Sequence, residues 1–424
     1  MITRNKSIFL FPLFAGITSF AICIVALLNG RMGVPQGTGG GNFEVSKSFI
    51  KQPVNTLSCF SFIAAGLSIA WLLLPVLLKA QNSAKQDFLL SPQGHFGFII
   101  SHRNNMGNLI KGQIYGAEIN YIFRTDGCKT WQQIHKYPEI GVCVLHMYLA
   151  NPQQLGNMEA LYPYANIRLN KLKRKAILNL RLGAGLAYLT KAFDRIENHK
   201  NAAIGSRLNG FVNIRLNTTV LLSKDWRLDA GLGLTHASNG AVRTPNLGLN
   251  LATVNVGLGY VFGNKTCTYI KDTIAPTPKI WQTSVIAVMG IKELEAPGGP
   301  KYLAYGLQTN VYRTLNYKNK LGGGIEMAYN NATKQVWVND SVFNTKIVDI
   351  VQAGAKISYS FNMNRLSVPV DFGVYVFKKQ ASNGLFFHRV GLRYLITKHI
   401  VANITLLTHW AKADYFEWGV GYQF

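Results

Sequence analysis

Leu234-Thr-His-Ala-Ser-Asn-Gly240, followed by Pro245-Asn-Leu-Gly-Leu-Asn250 and an alternating run to Phe262, decides how this chain is read. With a period of two, Trp226, Leu228, Ala230, Leu232 and Leu234 share one strand face, and Arg227, Asp229, Gly231, Gly233 and Thr235 share the other. His236 and Ser238 continue the apolar face. In the second arm Asn250 falls in with Ala252, Val254, Val256, Leu258, Tyr260 and Phe262, opposite Thr253, Asn255, Gly257 and Gly259. One apolar face and one face of small or polar residues, over about ten residues or a little more, describe a transmembrane barrel hairpin. A soluble sandwich alternates in the same way, so the rest of the chain must decide between them.

Working outward, the 424 residues are 48% hydrophobic and 12% aromatic, which excludes a disordered chain. Two apolar runs, 8–29 and 57–78, are each long enough to span a bilayer. The second ends at Leu78-Lys79-Ala80 before polar Gln81-Asn82-Ser83, which reads as a secretory signal over 57–80 cleaved near Ala80. On that reading the true start lies downstream of Met1 and residues 1 to about 50 are an over-long N-terminus; a two-helix membrane anchor is the competing reading. Past residue 80 no apolar run reaches helical spanning length, so insertion there must use strands closed into a barrel.

The chain carries 44 Lys and Arg against 19 Asp and Glu. Removing the six basic and one acidic residues of 1–80 leaves 38 against 18, or +20. Such basicity suits anionic head groups or phosphates. The cations are scattered over strand ends and loops with no basic helix or binding motif, so no nucleic acid partner is expected. Cys23 and Cys59 lie in the apolar runs; Cys128, Cys143 and Cys267 form neither a disulfide framework nor a metal-ligand pattern, leaving a Cys128 to Cys143 bridge as the one open pairing. No cofactor and no metal are expected.

The chain also repeats itself. Tyr115-Gly-Ala-Glu-Ile-Asn120 matches Tyr305-Gly-Leu-Gln-Thr-Asn310, and the alternating run 178–189 matches 368–377. Leu234-Thr-His236 pairs with Leu407-Thr-His409, and Gly257-Leu-Gly-Tyr-Val-Phe262 with Gly419-Val-Gly-Tyr-Gln-Phe424. The expected fold class is therefore all-β: an antiparallel outer-membrane β-barrel built on a duplicated eight-strand unit. The strands expected in the first unit are 94–102, 112–124, 138–150, 160–170, 174–190, 204–221, 226–238 and 249–262. In the second they are 283–291, 301–314, 321–330, 347–360, 366–377, 384–396, 399–409 and 414–424. The expected divisions are 1–80, an N-terminal apolar region; 81–263, the first barrel unit; 264–282, a Pro-containing linker; and 283–424, the second unit. Two architectures satisfy this pattern: two barrels, or one merged barrel of about 14–16 strands. The last strand places Phe416, Trp418, Val420, Tyr422 and terminal Phe424 on one face, resembling the assembly signal of bacterial outer-membrane barrels.

With both termini of a barrel in the periplasm, the hairpin between strands seven and eight is extracellular. His236, Ser238 and Asn250 then sit near the outer leaflet, facing lipid, where polar groups are costly and mark a site. Ser needs a base to become a nucleophile, and His is the usual one. At i and i+2 on one strand their Cβ atoms lie about 7 Å apart, within reach of a hydrogen bond in suitable rotamers. Asn250 is the natural orienting group across the hairpin, and the backbone N–H groups of Asn239 and Gly240 follow as oxyanion donors. The reaction this implies is ester hydrolysis on a lipid that diffuses sideways to the barrel wall.

His-x-Ser-Asn, then Pro-Asn-x-Gly-x-[Asn/Glu] and a strand ending in an aromatic residue, resemble the motif of lipid A 3-O-deacylases of the PagL type, also called the acyloxyacyl hydrolase family. The likeness covers about 94 to 262 and is specific in the last 30 or so residues. It implies an eight-stranded outer-membrane barrel that removes an ester-linked acyl chain from lipid A, with lipopolysaccharide as substrate and no cofactor. It also implies Ser238 as nucleophile and His236 as base, with Asn239 and Asn246 supporting. The departure is Asn250, where the family carries an acidic residue; an amide oxygen can hold a His tautomer but cannot offset an imidazolium charge. The second unit keeps His409 but has Ala411 in place of the serine, with His409 on the opposite face, and reads as a structural repeat. His102, His135, His146 and His388 read as strand-end or loop residues. Gly183-Ala-Gly185 and Gly231-Leu-Gly233 read as small barrel-interior residues, and Lys171, Lys173, Arg174 and Lys175 as a periplasmic turn. The competing functions are a porin-like or structural outer-membrane barrel and, third, an inner-membrane protein held by the N-terminal helices.

Overall fold

The computed structural model describes residues 88–424 except 172–175, 263–268, 295–296, 340–343, 381–382 and 411, and except the side chains of 104 and 105. The expected signal segment 57–80, the run 8–29, Cys23, Cys59, Cys267, Lys173, Arg174, Lys175 and Ala411 lie outside the described residues.

The first eight strands are β1 (Phe88–Ile99), β2 (Ile114–Arg124), β3 (Glu139–Tyr148), β4 (Asn157–Arg168), β5 (Ala176–Leu189), β6 (Leu208–Leu221), β7 (Trp226–Ser238) and β8 (Leu249–Phe262). Each pairs antiparallel with its sequence neighbour, and β1 pairs with β8, so the sheet closes on itself. The next eight are β9 (Trp281–Glu293), β10 (Lys301–Thr314), β11 (Asn319–Asn330), β12 (Val351–Met363), β13 (Leu366–Lys378), β14 (Phe386–Leu395), β15 (Ile400–His409) and β16 (Lys412–Gln423). They close through a pairing of β16 with β9. The merged barrel is thereby replaced by two closed barrels of eight strands each. Closure removes every sheet edge, which is what a spanning strand structure requires. β9 begins at Trp281, inside the expected 264–282 linker. The four matched sequence segments fall on strands of equal rank in the two barrels: second, fifth, seventh and eighth.

Alternation survives along the walls. In β7, Leu232 and Leu234 are 63% and 58% exposed, while Arg227, Asp229 and Thr235 are buried. Aromatic rings gather where the chain enters and leaves the first barrel: Phe88 stacks on Tyr121 and Phe262, and Trp226 meets Tyr260 edge-on. That is the interfacial girdle of a membrane barrel.

Both interiors are filled by charge-paired side chains. In the first, Glu118 takes both guanidinium nitrogens of Arg215 (2.7 and 2.9 Å) and one of Arg181 (3.3 Å), with His95 Nε2 3.0 Å away. In the second, Arg389 bridges Glu326 and Glu417, and Lys356 holds Asp371 at 2.8 Å. Such pairs repay their desolvation only because each charge has several partners. Cys143 lies within the first interior, donating towards Glu118 at 3.4 Å, whereas Cys128 is exposed in the β2–β3 turn. Both are free thiols, so the Cys128 to Cys143 bridge is not formed.

Three connections run at the chain-entry end of the first barrel: 125–138, which holds the short helix α1 (Thr130–Ile134), then those joining β4 to β5 and β6 to β7. Four, 100–113, 149–156, 190–207 and 239–248, run at the other. The 239–248 loop thus lies at the end of this barrel opposite its two termini. The β11–β12 connection holds two further helices, α2 (Asn331–Asn339) and α3 (Ile347–Ile350). No helix of the described residues is long and apolar enough to cross a membrane.

Candidate active site

Antiparallel pairing of β7 with β8 sets His236 directly across from Asn250, and pairing of β6 with β7 sets Gly210 across from Ser238. A cross-strand pair on one face brings Cβ atoms within about 5.5 Å of each other. His236 Nδ1 lies 2.6 Å from Asn250 Oδ1, and His236 Nε2 lies 2.9 Å from Ser238 Oγ. Since Oδ1 can only accept, Nδ1 carries the hydrogen and Nε2 is left to accept from the Ser238 hydroxyl. The three side chains thus form one directed relay on the outward face of the wall.

Ser238 is nevertheless only 5% exposed. The cover is the loop after it. Gly248 adopts φ +78°, and a Cβ there would lie 2.8 Å from His236 Cε1 and 3.3 Å from Ser238 Cβ. Only glycine lets this backbone lie against the relay in that conformation, which is what the Gly of Pro-Asn-x-Gly contributes. Asn246 Oδ1 accepts from the Asn239 N–H at 3.0 Å. The Asn239 side chain binds Ser206 Oγ (2.8 Å) and the Arg243 carbonyl (2.9 Å). The Asn239 N–H expected for an oxyanion is therefore engaged within the loop, and Asn239 and Asn246 fasten the loop's two ends together. Gly240, with φ +62°, remains beside Ser238.

The second barrel reaches this loop. A Cβ on Gly240 or Gly210 would meet the ring of Phe416, which comes from β16, at 2.4 and 3.1 Å. The Glu293 N–H donates to the Ala241 carbonyl (2.8 Å), Thr244 Oγ1 donates to Glu293 Oε1 (3.2 Å), and Lys301 Nζ donates to the Val242 carbonyl (2.6 Å). At the opposite end His135, just after α1, lies 3.0 Å from the Asn362 carbonyl. Strands tilted at about 40° travel roughly halfway around so small a barrel, which is how the β2–β3 connection at one end and the β7–β8 loop at the other meet the same neighbour.

Sequence reading missed one member of the site. Read there as a strand-end or loop residue, His102 sits in the β1–β2 loop with Nδ1 3.0 Å from Asn250 Nδ2 and Nε2 3.0 Å from the Leu247 carbonyl. Nothing in its spacing signals this, because Asn250 is 148 residues away. His135, His146 and His388 do not join the relay: His146 pairs with Glu159 at 2.6 Å on the outer wall, and His388 packs edge-on to Phe372 and Trp410. Among the described residues no group of His, Cys, Asp or Glu is arranged to hold a metal ion.

A closed β-barrel with an ordered polar relay on its outer wall is the class this geometry defines. Residues 115–259 match the family of lipid A 3-O-deacylase (PagL), and residues 281–424 match the acyloxyacyl hydrolase C-terminal domain. The chain thus carries a lipid A 3-O-deacylase domain, an ester hydrolase, followed by an acyloxyacyl hydrolase C-terminal domain. No curated protein matches it. Among solved structures, Neisserial surface protein A aligns at 11% identity over 42% of this chain and 97% of its own, with a TM-score of 0.28. An engineered Rhodopseudomonas blastica porin aligns at 10% identity over 80% of this chain and 100% of its own, with a TM-score of 0.18.

Proposed function

We propose that the chain is a bacterial outer-membrane enzyme that removes an ester-linked acyl chain from lipid A of lipopolysaccharide, using Ser238 as nucleophile and His236 as base. The observation that carries this reading is the directed relay from Asn250 through His236 to Ser238 on the lipid-facing side of the wall. The family's name points to the acyl group on the 3-oxygen.

Ser238 Oγ attacks the ester carbonyl carbon while its proton passes to His236 Nε2. The carbonyl electrons move onto oxygen, and the Gly240 N–H, the other backbone donor after Ser238, takes up that charge. Collapse of the tetrahedral intermediate breaks the bond to the sugar oxygen, which leaves with the proton from His236. A water then gives its proton to His236 and attacks the acyl-serine, releasing the fatty acid and restoring Ser238. Asn250 fixes the imidazole tautomer throughout but leaves its transient positive charge without a counter-ion.

A porin-like role requires an open lumen, and the paired charges inside both barrels argue against one. The test is lipid A mass analysis of cells expressing wild type or Ser238→Ala, with both proteins checked for folding in the outer membrane. Loss of one acyl chain with wild type alone supports the hydrolase; identical profiles would sink it.

A further inference from the structure

Replacing a triad carboxylate by an amide creates a difficulty that a carboxylate does not have. Both oxygens of a carboxylate accept, so either orientation suits His236 Nδ1–H. An amide turned by half a revolution about its last bond presents Nδ2–H groups instead. His236 would then have to accept at Nδ1 and carry its hydrogen on Nε2, where it could not take the proton of Ser238. A wrong imidazole tautomer is among the most damaging faults a triad can have, costing about 10⁴-fold in turnover in serine proteases. Something must therefore set which way Asn250 points.

We propose that His102 is that group: a positioning residue that orients the Asn250 amide and thereby the tautomer of His236. The inference rests on the hydrolase reading given above. Its geometry is a single chain of hydrogen bonds with one consistent direction. The Leu247 carbonyl can only accept, so His102 Nε2, 3.0 Å away, carries the ring hydrogen in the neutral imidazole. His102 Nδ1 is then an acceptor and takes a hydrogen from Asn250 Nδ2 at 3.0 Å. The Ile100 carbonyl is farther from Nδ1, at 3.4 Å, and as an acceptor offers it nothing in this tautomer. With Nδ2 held by His102, Oδ1 faces His236 Nδ1 at 2.6 Å, and Nε2 faces Ser238 at 2.9 Å.

The origin of the chain is a backbone carbonyl, which cannot flip or titrate. Leu247 immediately precedes Gly248, whose backbone lies against His236 and Ser238. One short segment, Leu247-Gly248, therefore both packs on the relay and anchors its far end. Each link is a weak contact on its own, and His102 is exposed. Its effect comes from the choice it imposes between two amide orientations.

His102→Phe keeps a ring and removes the acceptor, and Asn250→Asp removes the need for one. The four proteins of this cycle, refolded in detergent micelles, are compared for turnover of a p-nitrophenyl acyl ester and for labelling of Ser238 by a fluorophosphonate. His102→Phe lowers kcat by about tenfold to a hundredfold, the range seen for outer-shell partners of functional histidines, and KM changes little. The Asn250→Asp background restores most of that loss. Histidine ¹⁵N spectra show His236 as the Nδ1–H tautomer in wild type, with an Nε2–H population growing in His102→Phe. An equal fall in both backgrounds, no fall in either, or an unchanged His236 tautomer overturns the positioning role. Wild type with neither Ser238-dependent turnover nor labelling overturns the hydrolase reading and the inference together.

Discussion

The two barrels share strand order and a charge-paired filling, yet they set the same tripeptide on opposite sides of the wall. In β7, Leu234 is exposed and His236 continues its outward face, bound to Asn250 and Ser238. In β15, Leu407 is buried, and His409 turns inward to meet Tyr375 Oη at 2.9 Å with Asp414 3.8 Å away. A strand has a period of two, so a phase shift of one residue exchanges the faces. Val401, Asn403, Thr405, Leu407 and His409 are all buried, so the inward phase runs the length of β15. Leu-Thr-His thus marks a strand rank common to both barrels, while its phase decides whether the imidazole belongs to a site or to a filled interior. The second barrel instead contributes at a distance, through Phe416, Glu293 and Lys301 against the loop that covers Ser238.

The largest effect that can break this contrast is Ser238→Ala, expected to lower deacylation by on the order of 10⁴-fold or more, as loss of the nucleophile does elsewhere. Adding Ala411→Ser to that variant restores nothing, because His409 faces the interior; recovered activity in lipid A mass analysis would show the two barrels to be equivalent. Next, Glu118→Ala leaves Arg181 and Arg215 buried without their shared carboxylate, expected to cost about 3–5 kcal/mol. Urea unfolding in micelles reads it, and a midpoint equal to wild type would mean the interior charges are not coupled as their distances imply. Gly248→Ala drives a methyl group towards His236 Cε1 and strains a left-handed backbone, at a cost of roughly 1–3 kcal/mol. Turnover should fall about tenfold or more with the barrel still folded, since 1.4 kcal/mol is a factor of ten. The smallest change is Glu293→Ala, which removes the Thr244 contact made by the second barrel. At about 1 kcal/mol for one hydrogen bond, turnover falls a few-fold. A result as severe as that of Gly248→Ala would make the second barrel a partner in the site rather than a brace.

The outward phase of His236, Ser238 and Asn250 was legible in the sequence, because alternation is a property of neighbouring residues. So were most strand bounds, with β7, β8 and β10 falling as expected. β1 starts six residues earlier than expected, at Phe88 rather than 94, and carries Pro92 within it. Lacking an N–H, it is accommodated where the β1–β8 ladder passes from Leu90↔Tyr260 to Gln93↔Gly257. Whether sixteen strands make one barrel or two depends on whether β1 pairs with β8 or β16, a matter of backbone hydrogen bonds that side-chain pattern does not encode. His102 was hidden for a related reason: a loop residue brought to Asn250 by closure of the β1–β8 seam leaves no periodic trace. The engagement of the Asn239 N–H by Asn246 depends on how 239–248 folds back, which the motif's residue types alone do not specify.

With lipid A as the proposed substrate, a relay that lies on the outer wall and not in a lumen meets it in two dimensions only. The quantity that governs saturation is then the mole fraction of ester among the lipids touching β6, β7 and β8. Inert amphiphile added at constant bulk substrate slows the reaction by dilution within the surface alone.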